Sequence, residues 1–325
     1  MIKSLTAQDL VYYSKTYLKF IQEAFPKVDV YKLGSNSDGF MYACALKSDN
    51  GRLILNSLPF FGGHGGPFNS GTLDGQRNIL NQYIDLASEL DAWSATIVEN
   101  PFDPLDQDIC TDLGLKIVDD RIGQFTNLPS LSSYNERDLY DILHVKTRNA
   151  VRKGFKLPIR ITLADSDSDW AWMQSVHAAS ISAMGGLVKS PEIFRALRAV
   201  FKNKVKLHIC WINNSRVAGL VCIEHHETIE YFTPVVEPDY RETQVLSALI
   251  FSIMDAAVKN GYQFWNWGGT WRSQNGVYRF KKRFGAFDAE YRYFNIVLNE
   301  NIKRIPKNTL QSEFPYFYTY RFNNG

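Results

Sequence analysis

Apolar residues spaced three and four apart open the chain: Leu10, Tyr13, Tyr17 and Phe20 predict an amphipathic helix within the first 24 residues. The pattern then tightens into strand-like runs at 28–33, 40–47 and 52–58. Asp49-Asn50-Gly51 joins the last two as a hairpin turn, because Asn and Gly tolerate positive φ. A glycine-rich loop covers 58–71. Beyond it Ile79, Leu80, Tyr83, Ile84, Ala87 and Leu90 trace one face of a helix over 72–90. A strand at 95–98, a helix at 103–113 and a strand at 116–125 complete this half. A linking helix is expected from Ser133, where Glu136 completes a capping box, to Gly154. The second half predicts a strand at 159–163, a helix at 170–181 and a helix opened by Ser190 and Pro191. Strands at 206–212, 217–224 and 228–235 follow, then a very apolar helix at 243–258. A strand at 262–266, a helix at 274–284 and a strand at 291–298 end the pattern.

A buried apolar helix between two strands implies a βαβ crossover, so each half reads as α/β with a mixed sheet. At 325 residues the chain exceeds what one core normally organises, and two such domains packed side by side are expected. The composition, 45% hydrophobic and 22% charged, excludes disordered, collagenous and disulfide-scaffold classes. Thirty-six Lys+Arg against 34 Asp+Glu argue against holding a polyanion by global charge, so DNA is not an expected partner and only local basic runs remain. Cys44, Cys110, Cys210 and Cys222 are widely spaced, which suits free thiols in a reducing cytoplasm. No signal sequence is evident, and the most apolar stretch, 245–258, is too short to span a bilayer and carries Asp255. A cytoplasmic protein without a transmembrane segment is expected. The six histidines have no metal-ligand spacing, and adjacent His225 and His226 face opposite sides of a strand, so no metal is expected.

P-loop, HExxH and GxSxG signatures are absent. Four segments carry the candidate chemistry. Gly62-Gly63-His64-Gly65-Gly66-Pro67 precedes a helix, where glycines can bring backbone N–H groups to a ligand; a plain surface turn is the competing reading. Residues 144–156 hold Lys146, Arg148, Arg152, Lys153 and Lys156, either a phosphate-binding stripe or a solvated helix face. Residues 235–250 run from a strand into a buried helix, with Arg241 at the mouth of the resulting crevice, free to pair a phosphate or simply Glu237 or Asp239. Residues 264–287 compress three tryptophans, Gly268-Gly269 and a basic cluster. Val277, Lys281 and Phe284 share one helical stripe there, so Lys281 is expected to be sheltered and able to steady an oxyanion.

Taken in order, these segments resemble the Fem-type aminoacyltransferases, which build peptidoglycan bridges and share a doubled GNAT acyltransferase fold. Gly66-Pro67 is similar to that family's Gly-Pro turn, and Val98-Glu99-Asn100-Pro101 to its proline-ended strand. Lys146-Thr147-Arg148-Asn149-Ala150-Val151-Arg152-Lys153 resembles its K-x-R-N-x-I-R-K run. Gly268-Gly269 with Gly276-Val277-Tyr278-Arg279-Phe280-Lys281 and Phe284-Gly285 resembles its closing signature. The resemblance spans about residues 58–290 and implies two tandem GNAT-like domains, at 1–132 and 133–325, the second including the linking helix. It implies transfer of an acyl or aminoacyl group to an amine, with Lys281 steadying the intermediate. Phe280, Tyr278, Arg279, Arg241, Gly268 and Gly269 would bind the donor. His64, Gly65, Gly66, Pro67, Arg148, Asn149 and Trp267 would bind the acceptor.

The expected acceptor is a cell-envelope precursor, either a muropeptide or a nucleotide-linked amino sugar. The expected donor is aminoacyl-tRNA or acyl-CoA, with no tightly bound cofactor. Residues 236–241 are also similar to the entry to a GNAT pyrophosphate loop, but Glu242-Thr243-Gln244-Val245 lacks its glycines, which weighs against acetyl-CoA. The tRNA-dependent family members' coiled-coil arm has no counterpart, and the GGHGGP loop is closer to Fem-like proteins of surface-polysaccharide synthesis. The general base is left open among Glu224, Glu230, Glu237 and Asp239. The alternative is a non-catalytic GNAT-like module that binds an envelope precursor or scaffolds polysaccharide synthesis.

Overall fold

The computed structural model describes residues 5–35, 39–58, 63–68, 71–164 and 166–320. The opening apolar spacing resolves into two short 3-10 turns and then α1 (Lys15–Ala24), capped by the Ser14 hydroxyl, which accepts the Tyr17 N–H. In chain order follow β1 (Val28–Ser35), β2 (Gly39–Lys47), β3 (Leu53–Asn56), α2 (Leu73–Glu89), β4 (Ser94–Val98), α3 (Gln107–Asp112) and β5 (Lys116–Asn127). Next come α4 (Glu136–Ile142), α5 (Val145–Phe155), β6 (Ile159–Leu163), α6 (Asp167–Ala183), α7 (Pro191–Phe201), β7 (Val205–Ile212), β8 (Ser215–His225) and β9 (Thr228–Val236). The chain closes with α8 (Val245–Lys259), β10 (Phe264–Trp271), α9 (Asn275–Lys282), β11 (Phe287–Val297) and α10 (Lys307–Glu313). The last of these has no counterpart among the predicted elements.

The chain forms two compact units: residues 1–123 with 269–273 and 289–325, and residues 124–268 with 274–288. The expected domains, by comparison, met at 132/133. The first unit takes back the C-terminal stretch because β11 pairs antiparallel with β4, from Tyr293↔Val98 to Val297↔Ser94.

In the first unit the strand order is β1-β2-β3-β4-β11-β5. β3 and β4 run parallel, so α2 is the crossover between them. Its face of Ile79, Leu80, Tyr83 and Ala87 is fully buried against Ala43, Leu55, Ala95 and Ile97. Each large apolar side chain buried this way contributes roughly 1.5–3 kcal/mol relative to exposure. The aromatic C-terminal segment packs on this unit: Phe314, Phe317 and Tyr318 are buried, and the Asn56 amide bonds both Tyr318 N and Tyr318 O.

The second unit has strands in the order β10-β9-β8-β7-β6, with α8 crossing between the parallel pair β9 and β10. Leu249, Ile250, Phe251 and Met254 of α8 fill its core, together with Val151, Trp265, Trp267 and Phe284. The linking helix expected over 133–154 is instead two helices broken at Leu143-His144. Asn135 and Asp138 form the capping box of α4, outcompeting Ser133 and Glu136, and the His144 ring accepts the Lys146 N–H to start α5. The break lets α5 lie close on α8 at Gly154. A Cβ there would stand 2.7 Å from both Ala248 Cβ and the Gln244 carbonyl oxygen. Gly154→Ala should therefore destabilise the protein by about 1–3 kcal/mol despite alanine's better helix propensity, read as a lower urea midpoint. A stabilised variant would contradict this packing.

Candidate active site

In the second unit β9 and β10 are in register over only three residues: Phe264↔Thr228, Trp265↔Ile229 and Asn266↔Glu230. Beyond that β9 continues along β8, with a register shift that leaves Phe232 bulged between Tyr231 and Thr233. Past Asn266, β10 continues through Trp267 and Gly268 with no further register to β9. Two parallel strands that part at their carboxyl ends leave a crevice, the favoured ligand position of α/β sheets.

Lys281 belongs to this unit. The rest of α9 is exposed or half-buried, but Lys281 is only 6% exposed. Its Nζ donates to the Gly268 carbonyl at 3.4 Å. Burial pushes its ammonium down to about 8, while the Glu230 carboxylate pulls the other way. Glu230 is 4% exposed and accepts the Asn266 amide at 2.6 Å; the Asn266 side-chain oxygen in turn accepts the Gly268 N–H at 2.8 Å. A chain of buried polar groups thus joins Glu230, Asn266, Gly268 and Lys281.

The other expected site residues of this unit are spread around that chain. Trp267 is 2% exposed and bonds the Thr126 hydroxyl through its indole N–H at 2.9 Å; it walls the crevice from within the core rather than opening onto solvent. Phe280 is half-buried, edge-on to Trp267 with centroids 6.2 Å apart. Tyr278 donates to Asp288 at 2.7 Å, which together with partial burial raises its phenol. Arg279 and Asn149 are exposed, and Arg241 is exposed on the 3-10 turn Pro238–Thr243. Arg148 is half-buried, 3.8 Å from Asp141. Lys146, Arg152, Lys153 and Lys156 form an exposed basic face on and just beyond α5, from which Lys153 reaches the Glu242 carbonyl at 2.8 Å.

Of the four carboxylates weighed as bases, Glu224 binds Lys206 at 2.5 Å, Glu237 accepts the Trp172 indole at 2.7 Å and Asp239 is exposed. Glu230 is the one whose charge acts on Lys281. Sequence reasoning passed over Asn266. Its signal was an amide inside the apolar strand Phe264-Trp265-Asn266-Trp267, where β-propensity disfavours asparagine.

The first unit holds the other expected residues. Within the 58–71 loop, residues 59–62, 69 and 70 lie outside the described part. His64 is fully buried, with ring centroids 4.4 Å from Tyr291 and 5.2 Å from Tyr12, both edge-on. Neither of its ring nitrogens has a hydrogen-bond partner among the described residues, and burial pushes its pKa down to about 3. The Gly65 N–H, which sequence reasoning offered to a ligand, is spent on the Val98 carbonyl at 2.9 Å. Gly65 is required by crowding instead: a Cβ would stand 2.6 Å from the Leu58 nitrogen. Gly66 and Pro67 are buried beside it. The Asn100 side-chain NH2 is buried and without a partner among the described residues, and its oxygen accepts the Phe102 N–H. Glu99 is fully engaged with Arg292 and the Leu105 N–H, which explains the strand that ends Glu99-Asn100-Pro101 as structural. Gly269 lies in this unit against Tyr291.

No cluster of three or more His, Cys, Asp or Glu able to hold a metal occurs among the described residues, and none of their helices is long and apolar enough to cross a membrane. All four cysteines are buried free thiols.

Residues 145–282 match the family model of the acetyltransferase (GNAT) domain. No curated protein matches the sequence. The solved structure of FemX has the same fold, with TM-score 0.72 at 11% identity over 92% of this chain and 95% of that one. The C-terminal domain of a putative lysylphosphatidylglycerol synthetase from Agrobacterium fabrum gives 0.58 at 14% identity over 94% and 95%. A tandem GNAT protein from the clavulanic acid biosynthesis pathway gives 0.55 at 9% over 86% of each chain. Residues 145–282 thus match a GNAT acetyltransferase domain, and the chain as a whole has the fold of FemX.

Proposed function

We propose that this acyltransferase joins an acyl or aminoacyl group to an amine of a cell-envelope precursor, a nucleotide-linked amino sugar or a muropeptide, and that it does so in the cytoplasm. The observation that carries the reading is Lys281, a buried ammonium at the crevice between parting parallel strands. The neutral amine attacks a thioester or ester carbonyl, forming the new C–N bond. Charge that develops on the carbonyl oxygen is met by the Lys281 ammonium in a site with little water, which is worth about 3 kcal/mol in comparable oxyanion sites. Collapse breaks the C–S or C–O bond, and the proton lost by the amine leaves with the departing thiol or hydroxyl.

The donor is aminoacyl-tRNA or acyl-CoA, whose phosphates suit the exposed basic face of α5 and Arg241 equally well. Phe280, Tyr278, Arg279, Gly268 and Gly269 are assigned to the donor by the resemblance, and Arg148, Asn149 and Trp267 to the acceptor. In the first unit His64, Gly65, Gly66 and Pro67 are assigned to the acceptor. Among the described residues the His64 ring nitrogens and the Asn100 side-chain NH2 have no hydrogen-bond partner, and such groups suit the hydroxyls and carbonyls of a sugar or uracil. The rival reading is a GNAT-like module that binds a precursor without turnover, and the two differ in which ligands stabilise the protein.

A thermal-shift panel of acetyl-CoA, aminoacyl-tRNA, UDP-N-acetylmuramoyl-pentapeptide and UDP- or dTDP-amino sugars supplies that test. A true ligand at a hundred times its Kd stabilises by about 2.7 kcal/mol. We expect a shift with one donor class and one precursor class. Coenzyme A with an amino sugar would mean N-acylation of a polysaccharide precursor, and tRNA with a muropeptide a bridge-forming transfer. Silence from every donor, with a shift from a precursor, would favour the non-catalytic module.

A further inference from the structure

Resting on the role proposed for Lys281, we infer that Glu230 and Asn266 are the positioning residues that hold Lys281 in its working place, acting through the backbone at Gly268. Donors and acceptors decide the orientation of Asn266. An ionised carboxylate only accepts, so the Asn266 NH2 must face Glu230, and its oxygen must then face the Gly268 N–H. The side chain therefore has one orientation, and it fixes the backbone at Gly268. That backbone is left-handed, with φ of 70°, a conformation glycine adopts freely. The kink it makes in β10 presents the carbonyl that receives Lys281.

Position in the sheet gives the same answer. Glu230 and Asn266 are directly paired at the last register position before β9 and β10 separate. A side-chain hydrogen bond across that pair fixes where the crevice begins. The charge balance points the same way. Around Lys281, β9 offers Glu230 and Tyr231, while residues 264–268 and 124–127 offer no titratable group. On α9 itself Tyr278 and Lys282 bind Asp288 and Arg279 is exposed; Arg283, just past its end, is half-buried. Glu230 is thus the anionic counterpart that makes a buried ammonium tolerable.

The test needs no substrate. With 13Cε-labelled lysine, the Lys281 resonance, assigned by its loss in K281R, is titrated by NMR in wild type, E230Q and N266A. Wild type should titrate near 8. E230Q keeps a side chain that can accept from Asn266 but removes the field, so the midpoint should fall by about 1 pH unit or more. N266A keeps the charge but releases the Gly268 kink to solvent, so the midpoint should rise toward 10.5. A merely structural role would lower the melting temperature of both variants and leave the midpoint near 8, and that result would overturn the inference. Should E230Q not fold, N266A decides alone: an unmoved Lys281 midpoint sinks the idea. Failure of the functional reading is separate. It would appear as undiminished turnover in K281M, whatever the titrations give.

Discussion

Replacing Lys281 with methionine is expected to lower kcat by about 100- to 1,000-fold while leaving the fold and ligand-induced thermal shifts in place. The magnitude follows from removing one preorganised donor from an oxyanion site, a loss felt only when charge develops on the carbonyl oxygen. Methionine is an unbranched apolar side chain of similar length, so it fills the buried position without the charge. The pH dependence carries a second signature. Because the active form is the ammonium, kcat/KM in wild type should fall as pH rises through about 8, where Lys281 deprotonates. Stability runs the opposite way. Between about 8 and 10.5 the unfolded chain binds the proton that folded Lys281 has released, so folding stability gains as pH rises across that window. K281M should lose both the alkaline limb in rate and this alkaline gain in stability. Rate and stability profiles identical to wild type would remove Lys281 from the mechanism.

The second large effect concerns acid. His64 is neutral when folded and resists protonation until about pH 3, against 6.5 for an exposed histidine. Between those values the unfolded chain takes up a proton that the folded chain refuses. His64 thus costs stability as pH falls from 6.5 toward 3, by several kcal/mol at the lower end. His177 and His208, both lowered to about 4 by burial, act in the same direction, so the comparison must be with a variant. H64F fills a similar volume against Tyr12 and Tyr291 without the unpartnered nitrogens. Its urea midpoint should equal or exceed wild type at pH 7, and the difference should widen toward pH 4.5. Parallel pH curves would mean that His64 is not the buried neutral ring described above.

Much of this fold is legible in periodicity. The alternating runs predict the strands of both units to within a few residues, and α2 and α8 announce themselves as a one-sided and an all-round apolar helix. The break at Leu143-His144 was not legible, because Asn135 and Asp138 form the capping box that Ser133 and Glu136 also suggest, and the close approach of α5 to α8 at Gly154 is a tertiary contact. Likewise, the return of residues 289–325 to the first unit depends on β11 pairing with β4, a contact across nearly 200 residues that local patterning cannot show. At the site, Lys281 stood out because a lysine sat on an apolar stripe. Glu230 was one of four equal acids, since strand periodicity does not tell which carboxylate meets a buried cation. Asn266 was visible as an amide in an apolar strand, but its importance comes from the residue opposite it.

Acyl transfer at the crevice of the second unit, as proposed, leaves a covalent product. The most direct measurement is mass-spectrometric detection of an N-acylated precursor when wild-type protein is given each donor with each amine acceptor, followed between pH 6 and 9.5. Product is expected from one donor–acceptor pair, forming at a rate that declines above pH 8. Binding of a precursor with no product from any donor at any pH would contradict it and leave a module that recognises its ligand without chemistry.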